Sequence, residues 1–398
     1  MLSELKDNLS LEEQEAIADI FTKEYYELAH FNGITYVSHL ILQIFENLGV
    51  LGLLRNKYSC GDEIIVEFNF IPKTKYVLEW MLSFLSQGGF LKKSDDKDGA
   101  RYYCDREDNI DLQALRQKTI ERDEKIIPSA RLMEYVISEI PNFFKGQKRG
   151  FEILFAQDKM TLWNDYFSND NSGYSVYNSL GTLGILKWAL KGNNIRLLEL
   201  GAGTGGATSA LIDKLKERGL LSAIAEYIFS DISPAFLRLG NSVIMARVGD
   251  DFQYSLKRLD FDKPLTGQGI KENEIDVVYG VNALHVAKNL VGALKNIYQV
   301  LKPGGMIILS ESCRPRENYL LFQEIIFNLL DNYVDVDLDN NLRPVPGFLD
   351  YEHWRRNLEA AGFKNIEAVF NTDGSYPADL RNKVDILAAV IKGEKIGK

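Results

Sequence analysis

The run ELGAGTGG places Glu199 two residues ahead of Gly201, with Gly203, Gly205 and Gly206 close behind. Glycine lets a backbone approach a ligand and adopt dihedrals that a Cβ forbids. Between a strand and a helix, such a loop holds a ligand over the helix N-terminus, at the carboxyl edge of a sheet. Gly201-x-Gly203-x-x-Gly206 also satisfies the dinucleotide fingerprint, and Asp231 stands near the position of that fingerprint's ribose-binding acid. Asp231 ends the run YIFSD just ahead of Ser233-Pro234, so it suits both a ribose diol and a helix cap. RLDFDKP offers Asp260 to an exocyclic amino group and Phe261 to the face of a purine ring, although Asp260 reads nearly as well as an ordinary loop carboxylate.

The elements that must position these residues alternate regularly from Ile195 onward. IRLLEL, YIFSD, EIDVVYG and MIILSE are apolar strand-like runs, and helices are expected over Ala207–Glu217, after Ser233-Pro234, and over Val291–Leu301. FKNIEAVF and VDILAAVI close the chain as strands. Strand alternating with helix implies a sheet with right-handed crossovers, covered on both faces.

Upstream, the grammar is helical. Ser10 can cap a helix over Leu11–Leu28, and Thr35–Leu48 forms another. GDEIIVEFNF alternates in part like a strand, and Pro72 opens a helix that Gly88-Gly89 ends. FLKKSDDKDGARYYCD reads as two short strands around a polar turn, so the order is that of a winged helix. A charged helix over Leu112–Lys125 leads into an aromatic stretch containing Tyr174 and Tyr177.

Composition excludes several functions. The 398 residues suit two domains, and a formal net charge of −10 disfavours nucleic acid and anionic membranes. The would-be wing mixes Lys92, Lys93, Lys97 and Arg101 with Asp95, Asp96, Asp98, Asp105 and Glu107, which gives phosphate little net attraction. No N/D-P-P-Y/F motif follows the strand at 275–280. Three scattered cysteines and a polar N-terminus fit a reducing, cytoplasmic setting, and four histidines make a multi-histidine metal site hard to assemble.

Three features favour S-adenosylmethionine over a dinucleotide. Glu199 is acidic where a dinucleotide strand is usually apolar, and it can accept from the ammonium of a methionine moiety, directly or through water. This βαβ unit does not begin a second mononucleotide half. LKPGG, ahead of the later strand, is a turn that methyltransferases of this fold commonly show. Together with GVNALHVAKNL (Gly280–Leu290), YIFSDISPAF, LKPGGMIILSE and the run LMEYVISEIPNFFKG…LWNDYFSND…YSVYN, the glycine loop resembles the C-methyltransferase domain of polyketide synthases.

The resemblance covers about Ile127–Phe370, and the N-terminal segment looks like that family's cap. It implies an α/β fold: a Rossmann-like class I methyltransferase core with a mixed seven-stranded sheet over residues 146–398, including a helical pre-core segment at 146–190. A mostly helical, winged-helix-like cap covers 1–145. It also implies that His285 and Glu311 form a catalytic pair. The sheet agrees, because His285 lies just past one strand, Glu311 ends another, and the two strands are expected to be neighbours. A carbon between a ketone and a thioester is acidic enough for such a histidine to deprotonate. Glu311 would orient the ring, and Asn282 would hydrogen-bond substrate or adenosine; Tyr174 and Tyr177 suit either the enolate oxygen or the core, with Tyr177 the candidate taken for the site.

The activity implied is methylation of the α-carbon of a β-ketoacyl chain on an acyl carrier protein, in polyketide or related natural-product biosynthesis. The alternative is O- or N-methylation of a free small molecule. Whether the chain acts alone or as part of a larger synthase is open at this point.

Overall fold

The computed structural model describes residues 32–97, 99–106, 111–189, 194–249, 251–314, 317–369 and 388–397. The helix expected over Leu11–Leu28 lies outside them. The described residues pack into two units. One covers Phe167–Glu317 and resumes at Asp335; the other runs up to Tyr166 and takes back Asn318–Val334. Sequence reasoning drew one boundary near residue 145, whereas the packing sets it at 166/167 and returns a distant segment to the first unit in chain order.

That unit begins with helices Asn32–Asn47 and Val50–Asn56. Residues Gly61–Glu67, expected to be partly strand, are helical. Adjacent Ile64 and Ile65 both point inward while Val66 is 81% exposed, a division that a period-two strand cannot produce. Asp62 and Glu63 occupy the first turn, where the helix dipole favours acids. A short turn from Pro72 leads into helix Lys75–Gln87, and a hairpin of β1 (Lys92–Asp96) and β2 (Gly99–Tyr103) follows. Ser59 bridges to Tyr102, completing the helix, bridge, helix, helix, hairpin order of a winged helix. Arg101 reaches Asp96 at 2.6 Å and Glu63 at 2.9 Å, and Lys92 reaches Asp105 at 2.5 Å, so these two cations of the hairpin are neutralised by acids in and beside it. Helices Leu112–Arg122 and Ile127–Phe144 follow. Gln87 ties down the returning segment, donating to the Leu320 carbonyl and accepting from its N–H, both at 2.9 Å.

The other unit holds a seven-stranded sheet in the order β5-β4-β3-β6-β7-β9-β8. Its strands are β3 (Ile195–Glu199), β4 (Ile224–Asp231), β5 (Tyr254–Arg258), β6 (Ile275–Val281), β7 (Leu301–Ser312), β8 (Lys364–Val369) and β9 (Ala388–Glu394). β9 runs antiparallel to both neighbours, and the pairs from β5 through β7 are parallel, so the sheet is mixed as expected. LKPGG is drawn into β7 rather than preceding it; Gly304 at φ +80° carries the irregularity.

Apolar side chains explain the burial. Leu197, Leu198, Val278, Ile307, Ile308 and Leu309 are inaccessible, as strands covered on both faces must be. Helix Ser172–Gly184 packs on β6, β7 and β9, and also against helix Gly206–Glu217, which leaves the glycine loop. The carboxyl ends of β3, β4 and β6 therefore open onto one edge, where the chain reverses direction across the sheet.

Candidate functional site

The glycine loop is built from left-handed backbone. Gly201, Gly203 and Gly205 have φ of +63°, +56° and +85°. A Cβ on Gly201 would lie 2.7 Å from that of Ala283, whereas at Gly203 nothing lies within 4 Å, so that part of the backbone faces open space. Helix Gly206–Glu217 starts where a Cβ on Gly206 would strike the Phe167 carbonyl at 2.3 Å. Asn169 steadies this start, donating to the Gly206 carbonyl at 3.0 Å and to Ser209 Oγ at 2.9 Å.

Asp231 ends β4 beside this loop. Its Oδ2 accepts from the Gly203 N–H at 3.0 Å and its Oδ1 from the Ser233 N–H at 2.8 Å. The carboxylate closes the next turn, and each oxygen keeps one lone pair that a further donor could use. Burial pushes its pKa up despite these amide bonds.

Glu199 sits deeper than expected. Its Oε2 accepts from Thr208 Oγ1 at 2.6 Å and from the Tyr227 hydroxyl, and the residue is 1% exposed. Burial raises its pKa from 4.5 to about 7. One oxygen is thus committed inward to two hydroxyls, leaving only Oε1 for an ammonium group.

The proposed base lies across the sheet. His285 follows β6 in a short helical turn, and Nδ1 stands 2.8 Å from Glu311 Oε2 on the neighbouring β7. Glu311 Oε1 accepts from the amides of Ala283 (3.1 Å) and Leu284 (3.0 Å), and neither side chain of the pair is more than 3% exposed. The Phe348 ring lies 4.3 Å from the imidazole, centroid to centroid.

Tyr177 is buried beside the same strand end. Its backbone carbonyl accepts from Ser310 Oγ at 2.8 Å, its hydroxyl bonds Ser312, and burial pushes its pKa up to about 12. Tyr174 packs edge-on against Phe167, with ring centroids 4.7 Å apart.

Two expected ligand groups serve mainly the local backbone. Asn282 takes φ +44°, and its Oδ1 accepts from the Ser312 N–H at 2.6 Å, which leaves its Nδ2 and one lone pair of Oδ1 for a ligand. Asp260 spends Oδ1 on the Asp262 N–H and Oδ2 on Lys263, so its carboxylate closes a turn. Phe261 occupies that turn beyond β5, where its carbonyl accepts from Asn296. Burial pushes the Cys313 thiol well up, as suits an inert packing residue.

Three contributors carried no local signal. Tyr227 and Thr208 hold Glu199, and Arg343 reaches the backbone of the His285 turn from 58 residues away. Open backbone at Gly203, a buried acid with spare lone pairs at Asp231, and a second acid under the helix start form a donor set that fits an adenosyl amino acid.

A family profile described as a methyltransferase domain matches residues 198–307. The chain is 31% identical over 255 residues to polyketide synthase PksR of Bacillus subtilis, covering 62% of this chain and 10% of that protein. It is 27% identical over 369 residues to iterative polyketide synthase afoE of Emericella nidulans, covering 89% of this chain and 12% of that one. The chain thus spans about a tenth of the length of these relatives. The CurJ carbon methyltransferase shares its fold at TM-score 0.73 and 23% identity, covering 100% of this chain and 96% of that one. The DszA carbon methyltransferase does so at 0.77 and 22%, covering 98% and 95%. The trans-methyltransferase CalH, solved with S-adenosylhomocysteine, matches at 0.64 and 21%, covering 93% and 92%.

Proposed function

We propose that this chain, an S-adenosylmethionine-dependent methyltransferase similar to a segment of polyketide synthases, methylates the α-carbon of a β-ketoacyl thioester carried on an acyl carrier protein. The observation that carries this reading is the buried His285–Glu311 pair at 2.8 Å. S-adenosylmethionine supplies an electrophilic methyl group on a sulfonium; the residues on the chain must hold it, orient the acceptor and remove one proton.

Gly203 and Asp231 hold the nucleoside, and Glu199 lies at the methionine end. His285 Nε2 takes the proton from the α-carbon, and the electron pair left behind spreads onto the neighbouring ketone and thioester oxygens. Glu311 accepts a hydrogen bond from Nδ1–H throughout and stays ionised, fixing the tautomer and the ring's direction. The Tyr177 and Ser312 hydroxyls stand beside that strand end to receive the enolate oxygen. With S-adenosylmethionine held there, the α-carbon would take the methyl group as the bond to sulfur breaks, and a neutral thioether would remain.

The test is to incubate the chain with S-adenosylmethionine and β-ketoacyl carrier adducts of several chain lengths. Intact mass should rise by one methyl, and product NMR should place it on carbon. His285→Ala should lower kcat by ~10²–10⁴-fold while leaving S-adenosylhomocysteine affinity unchanged. An O–CH₃ or N–CH₃ product from a free metabolite would replace this substrate class.

A further inference from the structure

The His285 turn is gripped by a segment far along the chain. Arg343 is 2% exposed, and its guanidinium donates to the carbonyl of His285 at 2.6 Å and to that of Ala287. One residue farther toward helix Leu290–Val300, the Lys288 carbonyl accepts from the Asp337 N–H at 2.9 Å. Residues 337–343 thus hold three acceptors of the short piece of chain that carries the imidazole.

The gripping segment is itself braced. Asp339 and Arg343 exchange backbone hydrogen bonds at 2.9 and 2.7 Å, and Asp339 Oδ1 accepts from the Asn341 and Leu342 amides. Asn357, on helix Tyr351–Ala361, donates to the Leu342 carbonyl at 2.6 Å. A buried guanidinium is a rigid, planar donor fork, and here it spans two carbonyls two residues apart with donors whose relative direction is fixed. Its carrier is a closed turn fixed to a helix, so the fork is directed before any ligand arrives.

We infer that Arg343 is a positioning residue for the base: by clamping the carbonyls of His285 and Ala287, it sets the direction in which the His285 ring projects from its turn. Glu311 fixes the ring through Nδ1 and the preceding amides, and Arg343 fixes the backbone that follows. The proposal rests on the reading of His285 as the base, and its test separates the two.

The chain has four histidines, so ¹⁵N-histidine labelling gives a readable spectrum, with His285→Gln identifying the signal. In the wild-type chain the Nδ1 proton held by buried Glu311 should appear downfield and exchange slowly. Arg343→Gln should broaden or abolish that signal and lower kcat by ~10²-fold, the cost of a misplacement of about an ångström. KM and S-adenosylhomocysteine affinity should stay unchanged. Arg343→Lys, which keeps the charge but not the fork, should fall between.

Arg343→Gln with wild-type turnover and an intact resonance would overturn the inference, as would lost turnover with the resonance intact. If circular dichroism shows that the Gln variant does not fold, Arg343→Lys decides: wild-type turnover and resonance in that variant refute the clamp. If the wild-type chain methylates nothing, the resonance still tests the clamp while the functional reading fails alone.

Discussion

Two buried glutamates serve the same sheet edge and are held in opposite ways. Glu311 is held by two consecutive backbone amides and by an imidazole whose turn Arg343 grips through two carbonyls. Glu199 is held by two hydroxyls, those of Thr208 and Tyr227, each able to rotate about its own bond. The first arrangement resists any change of direction. The second can give up or reorient a hydrogen bond when a cation arrives. Position in the sheet does not decide which role an acid plays; the stiffness of its partners does.

The sharpest way to break this comparison is Glu311→Gln. A rigid orienting role predicts a fall in kcat of about 10²-fold or more with cofactor affinity preserved. If turnover survives, the amide bonds alone orient the turn and the carboxylate is dispensable. Glu311→Ala should also lower the melting temperature, because two buried amides would lose their acceptor.

Asp231 comes next. It accepts two loop amides and is the acid proposed here for the ribose, so Asp231→Ala should weaken S-adenosylhomocysteine binding by ~10–100-fold, read by calorimetry.

Glu199 gives a smaller effect with a diagnostic sign. Its folded-state pKa of about 7 lies above the ordinary 4.5. The native chain therefore holds this proton over that window, where the unfolded chain has lost it. The site's contribution to stability is full below about 4.5 and is lost as pH rises through about 7. Glu199→Gln should accordingly raise the melting temperature relative to wild type more at pH 8 than at pH 5. The opposite ordering would mean that the carboxylate is stabilised by its hydroxyl partners, and the contrast with Glu311 would narrow.

Asp260 should matter least. Its ion pair with Lys263 lies at the surface, and such pairs contribute within ~1 kcal/mol. Asp260→Asn should change cofactor affinity far less than Asp231→Ala. A loss as large as that of Asp231 would mean that the carboxylate leaves its turn to reach adenine.

Much of this arrangement was legible because it is local. Strand, glycine loop and helix are contiguous in the sequence, so Gly201, Gly203 and Asp231 were visible from their neighbours. His285 and Glu311 were picked out by the family resemblance, supported by the expectation that β6 and β7 are adjacent, and the sheet order bears out that adjacency. What failed was non-local or depended on packing. Gly61–Glu67 showed partial alternation, yet burial of two adjacent isoleucines made it a helix. Nothing local marks Asn318–Val334 as part of the other unit, because its anchor is the carboxamide of distant Gln87. Arg343 sits in a run of ordinary loop residues, and only the fold reveals what its guanidinium grips.

The turn after β6 borrows its shape. Its amides at Ala283 and Leu284 end on Glu311, those at Lys288 and Asn289 on Asp262, and its carbonyls at His285 and Ala287 on Arg343. A protein engineer who grafted the peptide NALHVAK into a foreign scaffold would therefore transplant an imidazole without its aim. To keep the ring's direction, the scattered struts would have to travel with it.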